Sequence, residues 1–137
     1  MKNLRSILAA LAVLLMATAA HAQQTKVTAT VPFNFIAGDR VYPAGDYTFS
    51  NNGTVLQITN VEQAAGVITM SQGCESLNPS ANTKLVFQHV GGYYILRQIW
   101  VAGSPRGREL PRSHTEVQLA QNHSKSESVI VAANIIQ

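Results

Sequence analysis

Apolar residues occupy every odd position from 27 to 35. Because successive side chains of a β-strand point to opposite faces, a period of two predicts a strand with one buried face and one solvated face. Pro32 has no amide hydrogen, so this strand is predicted to lie at a sheet edge or to carry a bulge at that position. The alternating residues are Val27, Ala29, Val31, Phe33 and Phe35, with Lys26, Thr28, Thr30, Pro32 and Asn34 between them.

A first hairpin is predicted around residues 47–58. Asn52-Gly53 is a favoured pair for a type I′ turn, in which both central residues have positive φ. A loop at these two residues would set Phe49 opposite Leu56 and Tyr47 opposite Ile58. All four side chains would share one face, so the turn chemistry and the apolar pattern predict the same arrangement.

A second hairpin is predicted over residues 84–101, with Gly91-Gly92 at its tip. Pairing Val90 with Tyr93 sets Phe87 opposite Leu96 and His89 opposite Tyr94. Both faces carry large apolar residues, and the face that includes Tyr93, Ile95 and Ile99 is too apolar to be wholly solvated. The hairpin is therefore predicted to be covered on both sides, closed into a barrel, or used in an interface. One face carries Leu85, Phe87, Leu96 and Trp100, and the other carries Val86, Val90, Tyr93, Ile95 and Ile99.

The remaining segments complete an all-β prediction. Residues 67–71 and 129–136 have strand composition, whereas residues 73–83 and 103–107 are predicted loops. Ser113 and Glu116 fit a capping box, which predicts one short helix near 114–122. We therefore predict a small antiparallel sandwich or barrel of about 7–9 short strands. An outer-membrane barrel is the alternative, although its strands need about ten residues each.

The first 22 residues have the three parts of a secretory signal peptide. Residues 1–5 carry Lys2 and Arg5, residues 6–20 are apolar, and Ala20-His21-Ala22 fits the cleavage pattern. The apolar run is shorter than the roughly 20 residues of a membrane-spanning helix. We therefore predict cleavage after Ala22, a single β-domain over residues 23–137, no stable membrane span after cleavage, and a periplasmic or secreted location.

Charge and cysteine content narrow the classes of function. Without Lys2 and Arg5, eight basic residues face seven acidic ones. A nucleic-acid partner is not predicted, because such partners require a clustered basic face. Cys74 is the only cysteine, so the chain has no internal disulfide and must be stabilised by packing.

No motif for catalysis, for a metal or for a cofactor stands out, and we predict no cofactor. His89, His114 and His123 lack metal-ligand spacing. The sequence contains no Gly-x-Ser-x-Gly elbow, phosphate loop or dinucleotide fingerprint. An enzymatic function is therefore not the leading prediction.

The segment 106–112 is the strongest candidate for a binding surface. Its three arginines could hold a carboxylate, a phosphate or an acidic sugar. Alternatively, the segment is a solvated connection in which Arg108 and Glu109 pair locally. The predicted ligand or partner surface comprises Arg106, Arg108, Glu109 and Arg112, together with Tyr93, Ile95 and Ile99 of the second hairpin.

Five motifs in order along the chain carry a family resemblance. They are residues 31–35 (VPFNF), 43–47 (PAGDY), 85–87 (LVF), 93–96 (YYIL) with Trp100, and 107–113 (GRELPRS). In these motifs the chain resembles an uncharacterised family of small exported bacterial β-proteins. The resemblance implies a bacterial, extracytoplasmic setting and no particular activity.

These observations lead to one principal expectation and two alternatives for function. We expect an exported, non-enzymatic β-domain with a binding or assembly role, whose partner is another protein or a cell-envelope component. The first alternative is a small extracytoplasmic hydrolase built on His89, Tyr94 and loop carboxylates. The second is the outer-membrane barrel.

Overall fold

The chain folds as an all-β sandwich of two sheets, as predicted. The computed structural model describes Asn3, Ile7, residues 25–123 and residues 125–136. Apart from Asn3 and Ile7, the predicted signal peptide lies outside these residues. No helix among the described residues has the length and apolar character needed to cross a membrane.

The described residues from 25 onward contain twelve strands and one helix. Five of the strands have only three or four residues, which accounts for the excess over the predicted number. The helix α1 (His114–Asn122) confirms the predicted helix and its cap, because the Ser113 hydroxyl accepts a hydrogen bond from the Glu116 amide. The Glu116 carboxylate contacts Arg97 and does not reach back to the Ser113 amide, so the predicted box is only half formed. The strands are β1 (Lys26–Val31), β2 (Phe35–Ala37), β3 (Arg40–Tyr42), β4 (Gly45–Asn52), β5 (Val55–Asn60), β6 (Ala65–Met70), β7 (Gln72–Glu75), β8 (Lys84–Val90), β9 (Tyr93–Trp100), β10 (Arg106–Glu109), β11 (Ser126–Ala132) and β12 (Asn134–Ile136).

At both edges of the sandwich, the chain passes directly from one sheet to the other. The first sheet has the order β12-β1-β4-β5-β6, and the second has the order β11-β8-β9-β10-β7. Strand β2 pairs in parallel with β9 and antiparallel with β3. At Ser71 the chain passes from the edge of the first sheet (β6) to the edge of the second (β7), and at Ala133 it passes from β11 to β12. The edges of the two sheets are thus joined pairwise.

The core consists of the inward residues of both sheets. Phe35 lies at its centre, with its ring edge-on to Tyr47 at 5.1 Å and to Phe87 at 5.5 Å. Burial alternates along β1 as predicted, but this strand lies inside its sheet and ends at Val31. Pro32 therefore follows the strand and causes neither an edge nor a bulge, because the hydrogen-bond ladder ends before the residue that lacks an amide hydrogen.

The first hairpin has the predicted faces but a different register. Asn52 pairs with Val55 and Phe49 pairs with Ile58, so the loop is Gly53-Thr54 and not Asn52-Gly53. Gly53 has φ of 62° and Thr54 does not have positive φ, which fits a type II′ turn with glycine first. Moving the loop by one residue shifts the pairing by two, so every side chain keeps its face.

The second hairpin follows the predicted register only from its tip to Phe87. Val90 pairs with Tyr93, His89 with Tyr94 and Phe87 with Leu96, after which a bulge shifts the pairing so that Leu85 faces Ile99. The bulge turns Ile99 into the core and Trp100 to the opposite face. Val90, Ile95 and Trp100 on that face are also buried, as a hairpin covered on both sides requires.

Candidate functional site

Two of the predicted site residues form part of the buried interior. Ile95 is 3% exposed and Ile99 is 5% exposed, whereas Tyr93 near the hairpin tip is 51% exposed. The prediction of an accessible apolar face made of these three residues is therefore wrong. The reason is the bulge in β9, which places Ile99 against Leu85, while β2 pairs alongside Ile95.

The arginines of segment 106–112 lie in three different environments. Arg106 is exposed and its Nε lies 3.6 Å from the Glu75 carboxylate, a contact of the kind that stabilises little. Arg112 is also exposed, with its Nε 4.0 Å from Glu116. Arg108 is half-buried between the sheets. The structure thus does not bring the three arginines together as one positive patch.

Glu109 belongs to an ion-pair cluster that holds the helix. Arg97 contacts Glu109 at 3.4 Å and Glu116 at 2.9 Å, and Glu116 on α1 is buried. A buried carboxylate requires such a partner, because removing it from water is costly. Glu109 therefore has a structural contact and is not a free acid for a ligand.

A cleft of about 580 Å³ opens between the sheets at one end of the sandwich. Inward residues of both sheets form its apolar floor, and polar residues of β7 and β10 form much of its rim. Its volume lies in the range of about 300–1,000 Å³ that is common for small-molecule sites. The lining residues are Thr25, Val27, Phe49, Asn51, Leu56, Gly73, Cys74, Glu75, Ile99, Val101, Ser104, Arg106, Gly107 and Arg108.

Arg108 connects the two sheets at the rim of this cleft. It projects from β10 on the face of Ile99, with which it pairs. Its Nη2 donates to the carbonyl oxygens of Gly53 and Ser71, and its Nε donates to the Ser71 hydroxyl at 3.2 Å. Gly53 lies in the β4–β5 turn of the first sheet, so one side chain fixes the separation of the sheets at the cleft.

Asn51 and Cys74 are two other polar residues in the lining of the cleft. Asn51 lies on the inward face of β4, and its buried Oδ1 has no hydrogen-bond partner among the described residues. Burial raises the pKa of the Cys74 thiol, the Glu109 carboxylate raises that pKa further, and Arg108 opposes both. Cys74 pairs with Gly107, so its side chain lies on the face of β7 opposite to Gly73 and points away from the interior of the cleft. The thiol stays neutral at neutral pH.

His89 and Tyr94, the basis of the hydrolase alternative, lie outside the residues that line the cleft. Their rings stack with centroids 4.3 Å apart, as the cross-strand pair in the predicted register requires. The described part of the chain contains no cluster of three or more His, Cys, Asp or Glu able to hold a metal ion. Tyr94 also stacks on Phe33 with ring centroids 3.8 Å apart, so this half-buried pair is a packing contact at the margin of the core.

Sequence reasoning missed most of the cleft. The apolar pattern predicts Phe49, Leu56 and Val27 as core, and the polar composition predicts a loop at Gly73. Among the polar lining residues, only Arg106 and Arg108 are predicted as binding residues. Comparisons with protein-family models, with curated proteins and with solved structures find no match to this chain. Inference about function therefore depends on the geometry of the cleft.

Proposed function

We propose that this chain is an exported, non-enzymatic β-domain that binds a small, largely apolar molecule in the cleft between its sheets. The observation that supports this proposal is the cleft itself, which has an apolar floor and few polar groups at its rim. Binding sites for small molecules have this composition, because apolar burial supplies affinity and a few polar groups supply orientation.

The extracytoplasmic setting is part of the same proposal. It is supported by the tripartite pattern of residues 1–22 and by the family resemblance described above. Mass spectrometry of the chain recovered from the periplasm or the medium of a bacterial host should show an N-terminus at Gln23. Recovery of the uncleaved chain in the cytoplasm alone would contradict the proposed export.

Binding in the cleft can be tested with a neutral fluorescent probe. N-phenylnaphthylamine fluoresces strongly in apolar surroundings, so it should gain fluorescence with the purified wild-type domain. Gly73→Leu should abolish this gain, because the new side chain enters the cleft. A β-carbon at Gly73 would have only Arg108 Nη1 near it, at 3.7 Å, so the backbone accepts the substitution.

Gln57→Leu is the matched control, since Gln57 is exposed on β5 and does not line the cleft. It adds the same apolar side chain and should leave the fluorescence gain unchanged. If the probe fails to bind the folded wild type, or binds Gly73→Leu equally well, the proposed function is wrong.

A further inference from the structure

We propose that the ligand of the cleft is a single-chain amphiphile with a carboxylate headgroup, whose alkyl chain lies on the apolar floor and whose headgroup lies at Arg108 and Arg106. This inference rests on the proposed function and specifies the chemical class of the ligand.

The charge of Arg108 is not neutralised by any carboxylate in the described residues. Its three hydrogen-bond acceptors are the Gly53 carbonyl, the Ser71 carbonyl and the Ser71 hydroxyl, all uncharged. Its Nη1 donates to none of the described residues and lies beside Gly73, 3.7 Å from where a β-carbon would stand, so the absence of a side chain at Gly73 leaves space next to it. Because a guanidinium binds carboxylates through paired N–H groups, Nη1 is suited to receive an anionic headgroup.

Arg106 adds a second positive charge to the rim. The register pairs Arg106 with Glu75 and Arg108 with Gly73, so all four residues lie on the inward face of the β7–β10 pair. Glu75 is the single carboxylate in the lining, and its contact with Arg106 is exposed and long. The lining as a whole is therefore positive, which favours an anionic ligand over a neutral or cationic one.

Apart from the Asn51 amide, the floor beneath these charges offers no side-chain hydrogen bonds to a polar ligand body. It consists of aliphatic and aromatic side chains from β1, β4, β5 and β9 and from the residue after β9. A ligand that combines one anionic end with an alkyl chain matches both regions, whereas a sugar or a peptide would leave its polar groups unpaired against the floor. The floor residues are Val27, Phe49, Leu56, Ile99 and Val101.

Displacement of bound N-phenylnaphthylamine distinguishes this ligand class from others. Octanoate, decanoate and dodecanoate should displace the probe, with affinity rising about fourfold for each added methylene. The matched alkanols should bind about tenfold more weakly, because they lack the charge-assisted hydrogen bonds. Alkyltrimethylammonium ions of the same lengths should bind more weakly still.

Four variants place the headgroup. Arg108→Gln and Arg106→Gln should weaken dodecanoate binding, whereas Glu75→Gln should strengthen it. Arg112→Gln removes the same charge outside the cleft and should change nothing. Because Arg108 also joins the sheets, Arg106→Gln and Glu75→Gln keep the test decisive if Arg108→Gln does not fold.

Two results separate the inference from the function on which it rests. If alkanols displace the probe as well as carboxylates do, and if Gly73→Leu still abolishes probe binding, the cleft binds apolar molecules and the carboxylate inference is wrong. The inference is equally wrong if Arg106→Gln, Glu75→Gln and Arg112→Gln leave the affinity for dodecanoate the same. Failure of the neutral probe to bind wild type overturns the proposed function itself.

Discussion

Replacement of Gly107 by alanine should destabilise the domain, because the structure leaves no room for a β-carbon there. An added β-carbon would lie 2.7 Å from Trp100 Cε3 and 2.8 Å from the Ile99 carbonyl oxygen. Non-bonded carbon atoms prefer separations of about 3.5 Å or more, so the first contact is too short by roughly 0.8 Å. One of these neighbours must move.

Movement of either neighbour would disrupt native contacts. The Ile99 carbonyl belongs to the backbone where β9 pairs with β10, and Trp100 is buried, with its Nε1 donating to Gln98 at 3.0 Å. Overpacking of this kind costs about 2 kcal/mol of unfolding free energy. For a domain of this size, that cost should lower the melting temperature by roughly 8 °C.

Gly73→Ala is the matched control, because Gly73 lies in the neighbouring strand and has open space where Gly107 does not. Its unfolding free energy should stay within about 0.5 kcal/mol of wild type. Urea unfolding followed by far-UV circular dichroism and by the fluorescence of Trp100, the only tryptophan, measures both variants. Equal midpoints for Gly107→Ala and Gly73→Ala would refute the steric argument.

Three further predictions concern buried polar groups. Arg97→Met should lower the unfolding free energy by about 3 kcal/mol, since it leaves the buried Glu116 without its 2.9 Å partner. The double variant Arg97→Met/Glu116→Leu should recover much of this loss, as measured by urea unfolding. A double variant that is no more stable than Arg97→Met would contradict the explanation. Because the pKa of Cys74 is raised in the folded chain, iodoacetamide at pH 8 should alkylate it more slowly than in urea. The unfolded thiol ionises first, so stability should fall as pH rises past about 9; a Cys74→Ser variant with the same decline would show that another group causes it. Asn51→Leu should raise the unfolding free energy by about 1 kcal/mol, because it removes a buried acceptor that has no partner; a lower urea midpoint would show that Asn51 has an essential contact.

The sequence predicts which side chains share a face more reliably than it predicts which residues pair. In the first hairpin, the loops Asn52-Gly53 and Gly53-Thr54 differ in register by two residues. Since the side-chain period is also two, both loops bury Tyr47 and Phe49, and the apolar pattern cannot choose between them. The turn geometry distinguishes the two loops, because Gly53 with its positive φ occupies the first position of the turn.

The β-bulge in the second hairpin has the opposite effect, because it moves side chains of one strand from one face of the sheet to the other. Strict alternation along residues 93–100 places Ile99 outward and Trp100 inward. The bulge near Arg97 exchanges the faces of these two residues. Arg97 itself forms ion pairs with Glu109 and Glu116 at the bulge. These partners are distant in sequence, so local periodicity carries no signal of the reversal.

The cleft exists because one pair of strands has no apolar side chains to fill the interior. In β7 and β10 the inward positions carry Gly73, Glu75, Arg106 and Arg108, opposite Phe49 and other apolar residues of the first sheet. A glycine and three charged residues cannot pack against that floor, so the space remains open and Arg108 holds the sheets apart across it. The relevant signal in the sequence is the absence of large apolar residues over 72–75 and 106–109, a composition that on its own favours loops over strands. Polar segments that pair as strands at the end of a sandwich leave a cavity there, and the apolar residues opposite them form its floor.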